Sequence, residues 1–400
     1  MNVVTTRLSN LCKVITKGTT PTSIGYSFSD RGIVFLRVQN INGGKVNYDQ
    51  QTLFIDELTH KTLSRSQIFA GDILVSIAGT IGRAGIVPDN APPLNCNQAV
   101  AIVRANEDIF RPYLRHWLES NDAQSQMIGA TVTGTISNLS LTQIGNLQVP
   151  LPPLEEQRRI AEILDRAQSL ISKRREAIGQ LDTLTQAIFL EMFGDPVSNP
   201  KGWDMGKTLG DVAELVSGIT KGRKLNGKAV REIPYLAVVN VQDRRLDLTI
   251  IKTIEATEDE ISRYKLQVND LLLTEGGDPD KLGRGTLWNG ELPECIHQNH
   301  IYRVRITSNQ IHPLFLNWLI GSQRGKKYFL KQAKQTTGIA TINMTQLRGF
   351  SLLIPPLDLQ QEFACRVEAI EKLKAAHRAS LSELDILFAS LQHRAFRGGL

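Results

Sequence analysis

The sequence predicts an α+β protein in which two similar mixed α/β domains are each followed by a long helix. Five blocks of sequence recur in the same order at offsets of about 198 to 204 residues. Each copy also ends in a double proline and then in a long segment whose apolar residues are spaced by three and four. A chain of 400 residues with 41% hydrophobic residues is long enough to form two or three domains with buried cores.

The repeat decides the predicted architecture. The blocks of the first copy are LSNLCKVITKG (8–18), FLRVQNI (35–41), GDILV (71–75), NQAVAIVR (97–104) and VPLPPLEEQ (149–157). The blocks of the second copy are LGDVAELVSGITKG (209–222), YLAVVNV (235–241), NDLLL (269–273), NHIYRVR (299–305) and LIPPLDLQ (353–360). A duplicated unit explains five matches in one order better than chance does, so we expect a pseudo-twofold internal repeat. The shared positions Gly18 with Gly222, Asp72 with Asp270 and Asn40 with Asn240 are expected to maintain the fold.

Within each copy, short runs of β-branched residues are separated by Gly, Asn, Asp and Pro, a pattern typical of strands joined by turns. Helical segments are predicted around residues 111–120 and 313–331. The predicted domains span residues 1–153 and 208–356, and the Gly- and Pro-containing segment 194–207 is expected to be a linker.

The two long helices are predicted at residues 154–193 and 357–397, because the double prolines at 152–153 and 355–356 exclude a helix immediately upstream. The apolar stripe of the first helix is Ile160, Leu164, Ala167, Ile171, Ile178, Leu181, Leu184 and Ile188. The stripe of the second helix is Phe363, Val367, Ile370, Leu373, Leu381, Leu384, Phe388 and Leu391. A helix of about 38 residues is about 57 Å long, so we expect the two helices to project from the domains and to pair with each other.

Composition limits the compartment and the classes of partner. Lys and Arg number 46 against 40 Asp and Glu, and the formal net charge of +6 is compatible with a polyanionic partner. The four cysteines, Cys12, Cys96, Cys295 and Cys365, form no C-x-x-C pair, which argues against a disulfide framework and favours a reducing cytoplasm. The sequence shows neither a signal peptide nor an apolar run near the ~18 residues of a membrane span, so we expect a soluble, non-secreted protein.

Residues 136–164, ISNLSLTQIGNLQVPLPPLEEQRRIAEIL, resemble the end of a target-recognition domain that continues into the spacer helix of type I restriction-modification specificity subunits. The second copy, INMTQLRGFSLLI (342–354) followed by PPLDLQQEF, keeps Thr-Gln and Pro-Pro-Leu, although Gln361-Glu362 departs from the first copy's order of glutamates and glutamine. The linker FGDPVSNPKGW (193–203) is also similar to that of the family. The resemblance covers essentially the whole chain.

The resemblance implies that the helices form an antiparallel coiled coil, set the length of a spacer and dock two methyltransferase subunits, which two restriction and translocase subunits can join. It also implies that each domain reads one half of a bipartite, asymmetric site in double-stranded DNA. We therefore expect no cofactor in this chain, because S-adenosylmethionine, ATP and Mg would belong to partner subunits, and we expect it in the cytoplasm of a bacterium or archaeon. The residues expected to pack the helices or contact partners are Ile160, Leu164, Ile171, Ile178, Leu181, Phe363, Val367, Ile370, Leu381 and Leu384.

Polar loop residues that differ between the copies are the candidates for base readout, since the two domains share a fold while reading different bases. Arg and Lys suit guanine, and Asn and Gln suit adenine, whereas some of these residues are expected to contact phosphate alone. The candidates in the first domain are Lys17, Thr19, Thr20, Arg37, Gln39, Thr80, Arg83, Asn97, Gln98, Thr133 and Thr135. The candidates in the second domain are Lys221, Arg223, Lys224, Gln242, Asp278, Lys281, Arg284, Gln298, His300, Thr336 and Thr337. Asn40 and Asn240 are instead interpreted as turn residues that bond their own backbone.

Motifs of catalysis are missing from the sequence. No Asn or Asp precedes Pro-Pro and an aromatic residue, as an amino-methyltransferase requires, and Lys201 stands where a phosphate-binding loop ending in Gly206-Lys207-Thr208 needs glycine. Cys295, His297 and His300 have a spacing reminiscent of metal ligands but are only three, so no metal is expected. The alternatives are a self-sufficient DNA-modifying enzyme and a non-catalytic scaffold whose domains are not specific for DNA; binding that weakens as salt rises would favour DNA over the scaffold.

Overall fold

The computed structural model describes residues 4–48, 52–130, 138–225, 227–278, 282–336 and 339–400. The chain forms two compact units: Met1–Glu176 with His377–Leu400, and Ala177–Ala376. Each unit therefore combines one mixed α/β domain with one segment of each long helix. Within the described residues, no helix is long and apolar enough to cross a membrane.

The first unit is built from short strands around a few helices. Its strands are β1 (Thr5–Arg7), β2 (Cys12–Lys17), β3 (Ile33–Leu36), β4 (Ile41–Asn42), β5 (Gly44–Val46), β6 (Leu53–Ile55), β7 (Gln67–Ile68), β8 (Ile73–Ser76), β9 (Ala84–Ile86), β10 (Leu94–Cys96), β11 (Val100–Ala105) and β12 (Gln148–Pro150). Its helices are α1 (Glu57–Thr62), α2 (Arg111–Leu118), α3 (Asn121–Ala130), α4 (Leu141–Gly145) and the first part of α5 (Leu154–Phe193). The sheets have the strand orders β2-β11-β8-β9-β5-β4, β6-β3-β10-β7 and β1-β12.

The second unit is also built from short strands and a few helices. Its helices are the rest of α5, α6 (Leu209–Val212), α7 (Glu258–Tyr264), α8 (Pro313–Ile320), α9 (Gln323–Gln332), α10 (Met344–Arg348) and the first part of α11 (Leu357–Ala395). Its strands are β13 (Ala213–Ser217), β14 (Arg231–Leu236), β15 (Val241–Gln242), β16 (Arg245–Leu246), β17 (Lys252–Ala256), β18 (Leu271–Thr274), β19 (Gly276–Gly277), β20 (Gly285–Leu287), β21 (Ile296–His297), β22 (Ile301–Ile306), β23 (Lys334–Thr336) and β24 (Ile339–Thr341). The sheets have the orders β13-β22-β18-β20, β17-β14-β21, β19-β24-β23 and β15-β16.

Each unit contains its own central antiparallel sheet, and the two sheets have equivalent strand orders. This confirms the predicted fold class. The order β2-β11-β8-β9 of the first unit corresponds to β13-β22-β18-β20 of the second. A buried carboxylate supports this sheet in each unit: Asp72 accepts two hydrogen bonds from Arg104 at 2.8 Å, and Asp270 accepts two from Arg305 at 2.7 and 2.8 Å. The helical structure predicted around residues 313–331 is present as two helices, α8 and α9, which are separated by Gly321 and Ser322.

The sequence-based pairing of Gly18 with Gly222 is wrong, and Gly218 is the true counterpart of Gly18. A Cβ on Gly18 would lie 2.0 Å from the carbonyl oxygen of Cys96, and a Cβ on Gly218 would lie 2.0 Å from that of His297. Gly222 is exposed, with nothing within 4 Å of such a Cβ. The tetrapeptide Ile-Thr-Lys-Gly occurs in both copies, but it is largely strand in the first and loop in the second, so matching letters shifted the alignment by four residues.

A buried glutamine fixes the start of each long helix. The side-chain oxygen of Gln157 accepts a hydrogen bond from the amide of Phe110 at 2.8 Å, and its amide nitrogen donates to the carbonyl of Pro152 at 2.8 Å. Gln360 makes the same contacts with the amide of His312 and the carbonyl of Pro355, both at 2.8 Å. Each glutamine therefore ties the double proline before its helix to the domain.

Within each unit, the two helix segments pack in opposite chain directions. In the first unit, Ile160 near the start of α5 shares a hydrophobic cluster with Phe396 after the end of α11, and Arg174 contacts His377 at 2.8 Å. In the second unit, segment 177–193 packs against 357–376, where Asp182 pairs with Lys374 at 2.6 Å. This antiparallel arrangement agrees with the predicted coiled coil.

The packing seams differ from the predicted stripes at two positions. Leu184 is 46% exposed and Leu373 is 48% exposed, whereas the neighbouring residues Thr185 and Lys374 are buried. Along each helix, the buried seam positions are spaced alternately by three and four residues, and Thr185 and Lys374 occupy such positions. At these two places burial therefore follows the position on the helix and not the hydrophobicity of the residue. Of the ten predicted packing residues, six are buried and four half-buried; the buried ones are Ile160, Leu164, Ile171, Phe363, Val367 and Ile370, and the half-buried ones are Ile178, Leu181, Leu381 and Leu384.

Candidate nucleic-acid interface

In the first unit, the segments that follow β2, β3, β8 and β10 meet at one end of the sheets. Backbone hydrogen bonds from amide to carbonyl join them: Thr19 to Cys96 at 3.1 Å, Asn97 to Leu36 at 3.1 Å and Ile77 to Ala99 at 2.8 Å. We call residues 17–20, 37–40, 77–83 and 97–99 the first loop surface. Side chains from four separate parts of the sequence are thereby held on one rigid edge.

Nine of the eleven first-domain candidates lie on the first loop surface. The exposed ones are Lys17, Gln39, Thr80, Arg83 and Gln98, and the half-buried ones are Thr19, Thr20, Arg37 and Asn97. The Thr20 hydroxyl bonds to the Gln98 side chain, which joins two of the loops directly. Thr133 and Thr135 lie outside the described residues. The charged side chains of the first loop surface are all cations, as favourable contact with a phosphate backbone requires.

The second unit repeats this arrangement of backbone. The corresponding amide-to-carbonyl bonds are Ile219 to His297 at 2.8 Å, Gln298 to Leu236 at 3.0 Å and Glu275 to His300 at 3.0 Å. We call residues 217–224, 237–242, 275–278, 282–284 and 298–300 the second loop surface. The two surfaces share a scaffold, while most of their side chains differ.

The second-domain candidates fall into distinct local environments. Those on the second loop surface are Lys221, Lys224, Asp278 and His300, which are exposed, and Arg223, Gln242, Arg284 and Gln298, which are half-buried. Lys281 and Thr337 lie outside the described residues, and Thr336 is the last residue of β23. Thr336 was predicted to lie in a reading loop, but the structure places it in a strand. That strand, β23, pairs with β24, which in turn pairs with β19 at Gly276 and Gly277.

Two of these arginines are already engaged by protein groups. Arg223 donates to both carboxylate oxygens of Glu260, at 2.5 and 2.7 Å, and this hydrogen bonding lowers the pKa of Glu260 to about 2. Arg284 donates to the side-chain oxygen of Gln242 at 3.1 Å. Arg223 therefore orders its loop, which makes it a weaker candidate for base contact than Lys221 and Lys224.

The interpretation of Asn40 and Asn240 as turn residues is confirmed. The side-chain oxygen of each accepts an amide hydrogen bond at 2.8 Å, from Arg37 and Ala237 respectively. Their side-chain nitrogens donate at 2.8 Å to the carbonyls of Asn47 and Asp247. Both asparagines are buried, and these hydrogen bonds fix the shape of their loops.

The sequence reasoning missed Glu275, which lies on the second loop surface next to His300. One carboxylate oxygen of Glu275 is 2.5 Å from Nδ1 of His300, and the other is 3.3 Å from the hydroxyl of Tyr302. The sequence did offer a sign that Glu275 belongs to this surface, because Glu275 follows the aligned block NDLLL (269–273) and Thr274 directly. In the described part of the chain, no group of three or more His, Cys, Asp and Glu side chains is arranged to hold a metal ion, and Cys295 and His297 are buried.

Comparison with known proteins assigns the chain to a family. A family model described as "Type I restriction modification DNA specificity domain" matches residues 2–180 and 200–385. The chain is 23% identical over 394 residues to the type I restriction enzyme StySPI specificity subunit of Salmonella potsdam, covering 93% of this chain and 83% of that protein. It is also 23% identical over 398 residues to the EcoKI specificity subunit of Escherichia coli strain K12, with the same coverage.

Solved structures share the fold over nearly the whole chain. A chain of a structure described as "Structural basis underlying complex assembly and conformational transition of the type I R-M system" aligns with a TM-score of 0.60 and 19% identity, covering 99% of this chain and 98% of that chain. The type I restriction-modification S subunit from M. genitalium aligns with a TM-score of 0.54 and 15% identity, covering 98% and 96%. Since the family model matches both halves of the repeat, the chain belongs to the type I restriction-modification DNA specificity domain family.

Proposed function

We propose that this chain is the DNA-specificity subunit of a type I restriction-modification complex. Each loop surface contacts one half of a bipartite, asymmetric site in double-stranded DNA. The chain has no catalytic role of its own and selects the sequence on which partner subunits act. The duplicated loop surface carries this proposal, because two equal scaffolds with different polar side chains suit two different half-sites.

Partner subunits supply the chemistry in this proposal. Two methyltransferase subunits dock on the long helices, and two restriction and translocase subunits can join them. Exposed apolar residues on both helices support docking, among them Leu170 and Leu184 on α5 and Ile386 and Leu387 on α11. S-adenosylmethionine, ATP and Mg belong to those partners, and the complex works in the cytoplasm of a bacterium or archaeon.

Methylome sequencing of the host with and without this chain tests the proposed function. We expect adenine methylation at one split motif in the presence of the chain and its loss on deletion, with restoration when the chain is supplied again. The recovered motif would give both half-sites and the spacer. An unchanged methylome in a host that expresses the methyltransferase partner would contradict the proposal.

The long helices set the spacer between the half-sites, so lengthening both should lengthen the spacer. One heptad inserted after Glu176 and another before His377 preserves the steps of three and four and adds about 10 Å of helix. At about 3.4 Å per base pair, we expect a spacer about three base pairs longer with both half-sites unchanged. The measurement is the methylated motif of the variant complex.

A heptad inserted in α5 alone is the matched control. It adds the same residues but displaces the two seams relative to each other, so we expect lower methylation and no uniform longer spacer. A double insertion that keeps the original spacer at the original methylation level would show that the helices do not determine it.

A further inference from the structure

The two loop surfaces differ in charge at one pair of equivalent positions. In the first unit, the amide of Ile77 donates to the carbonyl of Ala99, and the carbonyl of Ile77 accepts from the amide of Leu139 at 2.9 Å. In the second unit, Glu275 makes the same two backbone contacts, with the carbonyl of His300 and with the amide of Ile342, both at 3.0 Å. Ile77 and Ala99 of the first unit therefore correspond to the ionisable residues Glu275 and His300 of the second, while the backbone hydrogen bonds are the same.

A third substitution below the surface holds this pair in place. Tyr302 replaces Ala101 at the corresponding position of the central strand and is only 4% exposed. Its hydroxyl hydrogen is shared between two acceptors, the carbonyl oxygen of Ile342 at 2.9 Å and Oε1 of Glu275 at 3.3 Å. The Glu275 carboxylate is thus positioned from below by a buried group, as is typical of a preorganised contact residue.

The geometry leaves one ring atom of His300 for a ligand. Nδ1 of His300 is 2.5 Å from Oε2 of Glu275, so the carboxylate accepts the Nδ1 hydrogen and fixes the ring. The His300 side chain is 55% exposed and that of Glu275 is 31% exposed. Among the described residues, Nε2 of His300 has no hydrogen-bond partner, so this atom and the outer edge of the Glu275 carboxylate are the groups that can meet a ligand.

The charges favour a base edge over the phosphate backbone as that partner. The carboxylate of Glu275 beside His300 repels phosphate at this position. The first loop surface carries no acidic residue among its described positions. A carboxylate can accept a hydrogen bond from the cytosine amino group, and a fixed imidazole can bond to base edges in the major groove.

Resting on the proposed function, we infer that Glu275 and His300 are specificity-determining residues that contact a base pair of the half-site read by the second unit. The pair makes this half-site discriminate at a position where the first unit has Ile77 and Ala99 in the equivalent places. The shared backbone supplies the placement, and the two side chains supply the selectivity.

The test compares methylated motifs formed by the full complex in a host without other adenine methylation. The variants are His300→Ala, Glu275→Gln and the double variant Glu275→Ile with His300→Ala, which carries the residues found in the first unit. We expect discrimination at one position of one half-site to fall by roughly 10-fold or more, with the other half-site and the spacer unchanged. The matched control is Glu232→Gln, an exposed acidic residue on β14 of the same unit, which should leave the motif intact.

The outcomes separate this inference from the proposed function. A wild-type complex without any split motif would overturn both. A wild-type split motif that all three variants keep unchanged would overturn the specificity role alone. A uniform fall in methylation at every site without relaxation of any position would also overturn it, because phosphate-contacting or purely structural residues behave in that way.

Discussion

Replacing Phe363 by Ala is expected to lower the free energy of unfolding of the second unit by about 3 to 5 kcal/mol. Phe363 is fully buried near the start of α11. The centroid of its ring lies 5.5 Å from that of Phe189, 5.4 Å from that of Phe193 and 5.6 Å from that of Trp318. Its removal leaves a cavity among aromatic rings that join α5, α8 and α11. Chemical denaturation of the full chain, followed by tryptophan fluorescence, measures the loss.

Leu373→Ala on the same helix is the control for this prediction. Leu373 is 48% exposed, and alanine is a strong helix former, so we expect a change below about 1 kcal/mol. Comparable losses for the two variants would mean that the cost comes from the helix itself and that the aromatic cluster contributes little.

Acidification is expected to destabilise the second unit through His297. Burial lowers the pKa of His297 to about 4, while Nδ1 of the ring lies 3.0 Å from the carbonyl of Ile301. The cations Arg303 and Arg305 further oppose its protonation, and Tyr264 packs edge-on to the ring. The folded chain therefore keeps this ring neutral in a range where the unfolded chain takes up a proton.

The sign follows from that difference in proton binding. The pKa of this histidine in the unfolded chain is about 6.5. The free energy of unfolding is therefore unaffected by His297 above about pH 6.5 and decreases as the pH falls toward 4, because only the unfolded chain binds the proton. The lost stability is on the order of 3 kcal/mol at the acidic end. Denaturation curves between pH 7 and 4.5 for the wild type and His297→Cys measure it, since the first unit has Cys96 at the equivalent position.

Other groups titrate equally in both chains, so the difference between the two curves isolates His297. We expect the wild type to lose stability more steeply than His297→Cys as the pH falls. Parallel curves would contradict the assignment, whatever the absolute stability of the cysteine variant.

The parts of the fold that the sequence predicted depend on local signals. The double prolines located the helix starts, and α5 and α11 begin at Leu154 and Leu357. The repeat predicted two similar domains because strand residues recur with their neighbours. The equivalence of Gly18 and Gly218 follows from the pairing of β2 with β11 and of β13 with β22, and sequence identity alone does not show these pairings.

The two loop surfaces could be predicted only in part, because contacts between residues far apart in the sequence bring them together. Polar residues in differing loops could be recognised individually, and the described ones on the two loop surfaces are brought together by pairing between distant strands. Glu275 and His300 are 25 residues apart, and neither the sequence spacing nor the composition shows that they touch. Likewise, the engagement of Arg223 by Glu260 is a tertiary contact that makes Arg223 a weaker candidate, and the sequence alone does not show it.

The discontinuous composition of the first unit has a consequence for the order of events during synthesis. Its core includes Ala395 and Phe396, and the Phe396 ring lies 5.4 Å from that of Tyr113. These residues leave the ribosome only after the whole second unit, Ala177–Ala376, has been made. The first unit therefore stays incomplete until the second unit has been synthesised, and a nascent chain that stalls before Ala395 exposes apolar surface of the kind that chaperones and proteases recognise.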